Sequence, residues 1–219
     1  MLVTGAGRGY GGAIARLFAE RGATVAVHDA PGLAEQLGGS CFAAPADPRD
    51  ALAMQRMVDE VYRRTGRLDA LVTSAELERD GALLGVAPHD WLNAFDTNVH
   101  SAFYAIQAAA KYMLLDRRGR IVAVTGLAGA YPGRAQAAFA ASLGALHAMT
   151  RGLAIELAPK QIGINAVAPA PPGQTRLDSL QRAVRPEDVA ELAYFLASEQ
   201  ASYITGEVFF VDGGLGGRH

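Results

Sequence analysis

The chain has 219 residues, half of them hydrophobic, and its formal net charge at pH 7 is −2. This length and composition suit a single α/β domain spanning residues 1–219, and the near-neutral charge offers no basic face for nucleic acid. The sequence has no apolar run long enough to cross a bilayer and no basic segment of the signal-peptide type near Met1, so we expect a cytoplasmic protein without membrane contacts. The five histidines lack metal-ligand spacing, and no metal site is predicted.

The first predicted elements are an apolar strand, residues 1–4, a glycine-rich turn, residues 5–11, and a helix that Gly22 ends. A strand, a glycine turn and a helix in this order bind a pyrophosphate on the backbone N–H groups at the helix N-terminus. The predicted phosphate-binding residues are Thr4, Gly5, Gly9 and Gly11. A tight turn with a purely structural role would use the same glycines.

A second predicted strand, residues 23–28, ends at Asp29. The distance from the glycines is that at which an acidic residue meets the ribose of an adenosine. A carboxylate there accepts hydrogen bonds from both ribose hydroxyls and repels a 2′-phosphate, which favours NAD over NADP. The alternative is that Asp29 is a turn residue ahead of Pro31 and Gly32.

Strands and helices alternate along the rest of the chain, with short connections between them. This pattern predicts a parallel sheet of about seven strands covered by helices on both faces. The helix predicted over residues 49–65 shows the expected apolar face, which we interpret as core. Its residues are Met54, Met57, Val58, Val61 and Tyr62.

Beyond these elements, the chain resembles the short-chain dehydrogenase/reductase family from Thr4 to Gly214. Residues 4–11 match the family's TGxxxGxG turn. Further segments resemble the helix leading to the family's catalytic asparagine, its fifth strand and its last two strands: residues 90–98, 119–125, 162–169 and 203–214. The resemblance implies a Rossmann-type doubly wound α/β fold and a nicotinamide dinucleotide cofactor, which Asp29 predicts to be NAD.

Two further cofactor contacts follow from the resemblance. Asp47 matches the family's aspartate that hydrogen-bonds adenine, although the Pro48 that follows would also suit a helix N-cap. Residues 71–76, LVTSAE, stand where the family has LVNNAG, which makes Ala75 a predicted cofactor-binding residue and replaces the glycine beside the cofactor ribose by Glu76. A carboxylate there brings bulk and negative charge towards an anionic dinucleotide.

The resemblance also locates the catalytic positions. In the family a tyrosine donates the proton, a serine assists, a lysine lowers the tyrosine pKa and holds the nicotinamide ribose, and an asparagine carries a water of the proton relay. The YxxxK motif falls on Phe139 and Leu143 and the serine falls on Gly126, so of the four positions Asn98 alone keeps the family residue. Because an acid or base contributes on the order of 10²–10⁴ in rate, we expect a catalytically impaired or inactive protein.

Neighbouring side chains are less suited to do the work of the missing serine, tyrosine and lysine. Thr125 is one residue from the serine position, so its hydroxyl should face the other side of the strand. Ser142 lies about 100° round the helix from Leu143. Tyr131 and Arg134, in the loop after the fifth strand, are the residues expected to restore activity if any do.

The nicotinamide half of the site departs from the family as well. The glycine after the proline of the sixth strand is replaced by Ala170, followed by Pro171 and Pro172. Only residues 173–184 separate this loop from the next predicted helix, where the family usually has a substrate lid. We therefore predict that the adenine half of the NAD site is kept and that binding of the nicotinamide half is impaired.

Two interpretations of function follow. In the first, the protein is a non-catalytic NAD-binding subunit that forms a homo-oligomer or pairs with an active relative through two helices rich in small and apolar residues. The predicted interface residues are Ala102, Phe103, Ala105, Ile106, Ala109, Ala110, Leu146, Met149, Leu153, Ile155 and Leu157, with Phe139 and Leu143 adding to the apolar surface. In the second, it is an NAD(H)-dependent oxidoreductase that acts on a 3-oxoacyl-type carbonyl, a small ketone or a secondary alcohol through non-standard residues. A dinucleotide sensor and a decayed gene product also fit the sequence.

Overall fold

The computed structural model of the chain describes residues 1–7, 9–74, 81–171 and 180–216. The strands in these ranges are β1 (Leu2–Thr4), β2 (Ala26–Val27), β3 (Phe42–Ala43), β4 (Ala70–Thr73), β5 (Gly119–Val124), β6 (Ile162–Pro169) and β7 (Val208–Val211). The α-helices are α1 (Gly9–Glu20), α2 (Pro31–Leu37), α3 (Ala51–Thr65), α4 (Pro88–Phe95), α5 (Ser101–Asp116), α6 (Ala137–Leu157) and α7 (Pro186–Leu196). A π-helical segment, Asp96–His100, joins α4 to α5. Within these ranges, no helix is long and apolar enough to cross a membrane.

The seven described strands form one parallel sheet with the order β3-β2-β1-β4-β5-β6-β7. The strand order reverses between β1 and β4, where Val3 pairs with Val72. At such a switch point the connections diverge to opposite faces and leave a crevice at the carboxyl ends of the strands, where ligands bind. The predicted doubly wound sheet of about seven strands is confirmed.

Helices cover both faces of the sheet because each central strand presents apolar side chains alternately to either side. Leu2, Leu71 and Ile121 pack on one face with the apolar side of α3 and with α5 and α6. Their neighbours Val3 and Val72 pack on the other face with α1, α2 and α7. Full burial of a side chain of this size stabilises the fold by roughly 1.5–3 kcal/mol. The predicted core face of α3 is confirmed for Met54, Met57, Val58 and Val61, which are buried, while Tyr62 packs at its margin.

Most of the predicted interface residues lie inside the subunit instead. Ala102, Ala105, Ile106, Ala109, Leu146 and Leu157 are buried against the sheet or between helices. Phe139 and Leu143 are only 5% and 1% exposed, so the prediction that they add to an interface is wrong. Both pack in a small apolar cluster between the start of α5 and the first turns of α6. Phe103 and Ile155 remain on the surface, with 38% and 80% of their area exposed.

Candidate dinucleotide-binding site

The predicted glycine turn lies at the carboxyl end of β1, in the crevice of the switch point. Gly5 and Gly9 have φ angles of 66° and 56°, in the left-handed region that favours glycine. A Cβ on Gly11 would lie 2.6 Å from the carbonyl oxygen of Gly5, so a larger residue would push α1 away from the turn. Thr4 is buried, and its carbonyl accepts a 3.1 Å hydrogen bond from the backbone N–H of Ser74. The phosphate-binding role of these residues stays a prediction.

His28 holds this turn against the neighbouring strands, a role that the sequence analysis missed. The imidazole is fully buried. Its Nε2 lies 3.0 Å from the carbonyl oxygen of Ala46, and the backbone N–H of Gly5 donates to its Nδ1 at 3.4 Å. The ring therefore connects the end of β2 to the glycine turn and to the segment after β3. The signal in the sequence is a histidine directly after the apolar residues of β2.

Asp29 follows His28 and is partly open to solvent, with 43% of its side chain exposed. Its Oδ2 lies 3.0 Å from His28 Nδ1. His28 Nδ1 therefore lies within reach of both the backbone N–H of Gly5 and the Asp29 carboxyl group. Burial and the nearby Asp47 raise the pKa of Asp29, and His28 opposes this rise.

The backbone at Asp29 also explains a glycine that the sequence analysis did not single out. Asp29 has a φ of 64°, so it shapes the turn before α2 as the alternative interpretation stated. A Cβ on Gly7 would lie 2.8 Å from the carbonyl oxygen of Asp29. Gly7 therefore allows the glycine turn and the end of β2 to approach each other. The partly exposed carboxylate remains available to a ribose, and this role stays a prediction.

Asp47 does not cap a helix, so that alternative is wrong. Its Oδ1 accepts a 2.9 Å hydrogen bond from the backbone N–H of Arg49 within the loop. The N-cap of α3 is Asp50, whose carboxylate accepts from the N–H groups of Leu52 and Ala53. The cap lies three residues later than predicted because the loop makes one more turn before α3 begins. Asp47 is exposed and lies close enough to Asp29 to raise its pKa, and the adenine contact stays a prediction.

A groove of about 660 Å³ begins at the glycine turn. Gly7, Gly9 and Asp29 line one end, and the groove continues over the outer side of α1 between α2 and α7. Its lining does not include Asn98 or Phe139. The groove therefore lies on the predicted adenosine side of the site and not beside the catalytic positions.

The positions predicted to be catalytic lie around the starts of α5 and α6, and their catalytic role stays a prediction. Asn98 is fully buried in the π-helical segment, and its Nδ2 donates a 2.9 Å hydrogen bond to Ser142 Oγ. Ser142 Oγ in turn donates to the carbonyl oxygen of Phe139 at 2.7 Å. Phe139 and Leu143 pack against Ala102, Ala128 and Leu146, and Gly126 is buried in extended backbone. The side chains at positions 98, 126, 139 and 143 include no group that ionises near neutral pH.

The Thr125 hydroxyl bonds to α6 at His147, four residues after Leu143. Its Oγ1 and His147 Nε2 are joined by a 2.9 Å hydrogen bond, and both residues are buried. Burial, with a smaller effect of Arg151, lowers the pKa of His147 to about 4, so the ring is neutral at pH 7. A Cβ on Gly129 would lie 2.6 Å from His147 Cε1, so the missing side chain makes room for the ring. The sequence analysis did not find this pair.

Tyr131 and Arg134 both lie on the surface. The Tyr131 ring makes an edge contact with Phe210 of β7, with 5.5 Å between the ring centroids. This contact directs the ring towards the last strand of the sheet, whereas Asn98 and Phe139 pack around the starts of α5 and α6. In this contact the Tyr131 ring lies against β7 and not beside the predicted catalytic positions.

Tyr10 approaches the other end of the predicted site. This residue lies in the first turn of α1, is 8% exposed, and donates a 3.1 Å hydrogen bond from Oη to the carbonyl oxygen of Ala170. Ala170 follows β6 and is itself buried. The predictions for Ala75, Glu76 and Pro172, and most of those for the segment after them, fall on residues 75–80 and 172–179, outside the described residues.

Comparison with known proteins identifies the family of the chain. A family model described as "Enoyl-(Acyl carrier protein) reductase" matches residues 5–216. The chain belongs to the short-chain dehydrogenase/reductase family. It is 35% identical to the 3-oxoacyl-[acyl-carrier-protein] reductase FabG of Thermotoga maritima, over 98% of this chain and 96% of the relative. The proteins of the same name from Staphylococcus aureus strain Mu50 and Escherichia coli K12 are 34% and 32% identical, each over 98% of this chain and 96% of the relative.

These relatives bear on both interpretations of this dehydrogenase/reductase family member. They are named as reductases, so at the level of the family the comparisons favour the oxidoreductase interpretation over the non-catalytic one. The aligned stretch with the Thermotoga maritima protein covers 236 residues, more than the 219 residues of this chain. The relative therefore has residues that this chain lacks. A shortened substrate lid in this chain would produce such a difference in length.

Proposed function

We propose that this family member binds the adenosine diphosphate half of NAD(H) at the glycine turn and serves as a non-catalytic subunit beside a catalytically complete relative. The adenosine half fits the residues present. Gly11 keeps the start of α1 close to the turn, and Asp29 offers a partly exposed carboxylate at the end of β2. Asp29 also supports NAD over NADP, because it would repel a 2′-phosphate.

The burial of Phe139 and Leu143 is the observation that carries the non-catalytic part of the proposal. NAD(H), when bound, supplies or accepts a hydride, and the protein must then move a proton at the substrate oxygen. Phe139 has no ionisable proton, and Leu143 has no charge to lower the pKa of a donor. Both side chains are packed in an apolar cluster with 5% or less of their area exposed. Loss of one acid or base lowers the rate on the order of 10²–10⁴-fold.

The subunit role is supported by the surfaces of α5 and α6. Phe103 on α5 and Ile155 on α6 are exposed apolar side chains on helices whose other faces pack on the sheet. Leu114 and Leu115 extend the exposed apolar area at the end of α5. Burial of such side chains in a partner interface would remove apolar area from water.

The second candidate is an NAD(H)-dependent oxidoreductase that acts on a 3-oxoacyl-type carbonyl, a small ketone or a secondary alcohol. The reductase names of the relatives favour it. On this candidate Asn98 would act from its place beside Ser142, the proton would come from Tyr131 or an acidic group of the substrate, and Arg134 would stabilise the charge that develops on the substrate oxygen. It requires Tyr131 to leave its contact with Phe210.

One experiment separates the two candidates. The purified protein is assayed with NADH and with NADPH on 3-oxoacyl thioesters, small ketones and secondary alcohols, alone and after co-expression with a complete family member. The proposal expects no turnover alone and altered activity or assembly of the relative in the complex. Steady NADH oxidation by the protein alone that disappears in Tyr131→Phe and persists in the control Tyr62→Phe would establish the second candidate.

A further inference from the structure

We infer that Tyr10 closes the nicotinamide end of the site, so that the ligand of this chain is an adenine nucleotide that ends at the diphosphate, and not a whole dinucleotide. The inference rests on the proposed binding of the adenosine half at the glycine turn. It concerns what lies beyond the pyrophosphate, on the opposite side of β1 from Asp29.

The strand order defines the path of a dinucleotide. Asp29 lies at the end of β2, on one side of β1. With the adenosine there and the pyrophosphate at the start of α1, the second half must cross the carboxyl ends of β4, β5 and β6 on the other side of β1. Tyr10 begins in the first turn of α1 and its hydroxyl reaches the end of β6. The side chain therefore spans the path that the second half would take.

Both backbone groups of Ala170 are already used. Its carbonyl oxygen accepts from Tyr10 Oη at 3.1 Å, and its N–H donates to the carbonyl oxygen of Val211 at 3.0 Å. A nicotinamide carboxamide carries a donor and an acceptor that need partners when buried. At this residue it would have to displace the Tyr10 hydroxyl from a buried hydrogen bond.

The neighbouring catalytic positions add no attraction for the second half. The Leu143 side chain is 1% exposed and carries no charge or hydrogen-bonding group. Ser142 is committed to Asn98 and to the carbonyl of Phe139. The nicotinamide ribose therefore gains nothing from position 143 that would offset the displacement of Tyr10.

Calorimetric titration tests the inference with ADP, ADP-ribose and NAD⁺ on the full chain. We expect ADP to bind at least as tightly as NAD⁺, since the nicotinamide riboside half adds cost and no contact. Tyr10→Val, which removes the ring, should tighten NAD⁺ binding by about tenfold or more and leave ADP binding within about threefold. Tyr10→Phe, which keeps the ring, should change NAD⁺ binding less than Tyr10→Val does. Tyr62→Phe, a remote tyrosine on α3 with a hydrogen-bonded hydroxyl, is the matched control.

The outcomes are distinct. Binding of NAD⁺ about tenfold or more tighter than ADP by the wild-type protein would overturn the inference while leaving the proposed adenosine site in place. Weaker NAD⁺ binding in Tyr10→Val would also overturn it, because the ring would then be a support for nicotinamide. Failure of both ADP and NAD⁺ to bind would overturn the proposed adenosine site itself. The wild-type comparison of ADP with NAD⁺ keeps the test decisive if Tyr10→Val does not fold.

Discussion

Asp29 Oδ2 lies 3.0 Å from Nδ1 of the buried His28, which also contacts the backbone N–H of Gly5. The residue predicted to meet the ribose is therefore connected through one imidazole to the turn predicted to hold the phosphates. This contact fixes the position of the carboxylate relative to the turn. On the proposed ribose contact, the Asp29 carboxyl group lies where NAD and NADP differ.

Of the two dinucleotides, the wild-type protein should bind NAD(H) more tightly than NADP(H), in each case through the adenosine half alone. Two unit charges 4 Å apart repel by about 1 kcal/mol in bulk water and by more near a protein surface, so Asp29→Ser should improve NADPH binding by about tenfold relative to NADH. Fluorescence titration of both cofactors measures the ratio. Asp116→Asn, at the end of α5, is the control and should keep the wild-type ratio. Equal binding of NADH and NADPH by the wild-type protein would remove Asp29 from the ribose site.

Restoring a lysine at position 143 should destabilise the fold. The side chain of Leu143 is 1% exposed and packs among apolar groups, so Leu143→Lys would bury an ammonium group or force it to lose its proton, at a cost of roughly 3–5 kcal/mol. Leu143→Met, which keeps the position apolar, should cost less than about 1.5 kcal/mol. Urea unfolding at pH 7 measures both. A lysine variant as stable as the methionine variant would show that position 143 reaches water or a bound ligand.

The protein should lose stability as the pH falls, because His147 is buried as a neutral ring. Burial lowers the pKa of His147 in the folded state to about 4, from 6.5 in the unfolded chain. The contribution of the neutral ring is therefore fully present above pH 6.5 and is lost as the pH falls towards 4. Its size is on the order of 3 kcal/mol.

Urea unfolding at pH 7 and at pH 4.5 in His147→Gln and in the wild type checks this dependence. The variant should lose less stability between the two pH values than the wild type, since it has no ring to protonate. The exposed His89→Gln variant is the control and should follow the wild type. Identical losses in His147→Gln and the wild type would show that His147 is not the group responsible.

The protein should form a dimer or a tetramer, alone or with a family relative. Stable interfaces of this kind bury about 1,200 Å² or more, and Phe103 and Ile155 are the exposed apolar residues of the two predicted interface helices. Phe103→Asp and Ile155→Asp should therefore weaken the assembly measured by light scattering. Leu52→Asp, at an exposed position on α3, should not. A monomer at micromolar concentration that also leaves every relative unchanged would contradict the subunit role.

Local patterns in the sequence predict the elements that position the site. The glycine turn, the acidic residue after β2 and the apolar face of α3 depend on residues close together along the chain, so spacing alone indicates them. The positions at residues 98, 126, 139 and 143 came from the resemblance to a family. The sequence does not predict which side of α5 and α6 faces outward. Small apolar residues at helical spacing suit a subunit interface and the sheet equally well. The structure turns most of them to the sheet.

By itself, the sequence determined the fold class, the order of strands and helices, and the absence of an ionisable group at positions 139 and 143. The tertiary structure alone decided which distant groups meet. Tyr10 and Ala170 are 160 residues apart, and Thr125 and His147 are 22 apart. Such contacts form because the sheet places the start of α1 opposite the end of β6, and α6 beside the end of β5. No local spacing encodes these distances, since they depend on how the whole sheet is assembled.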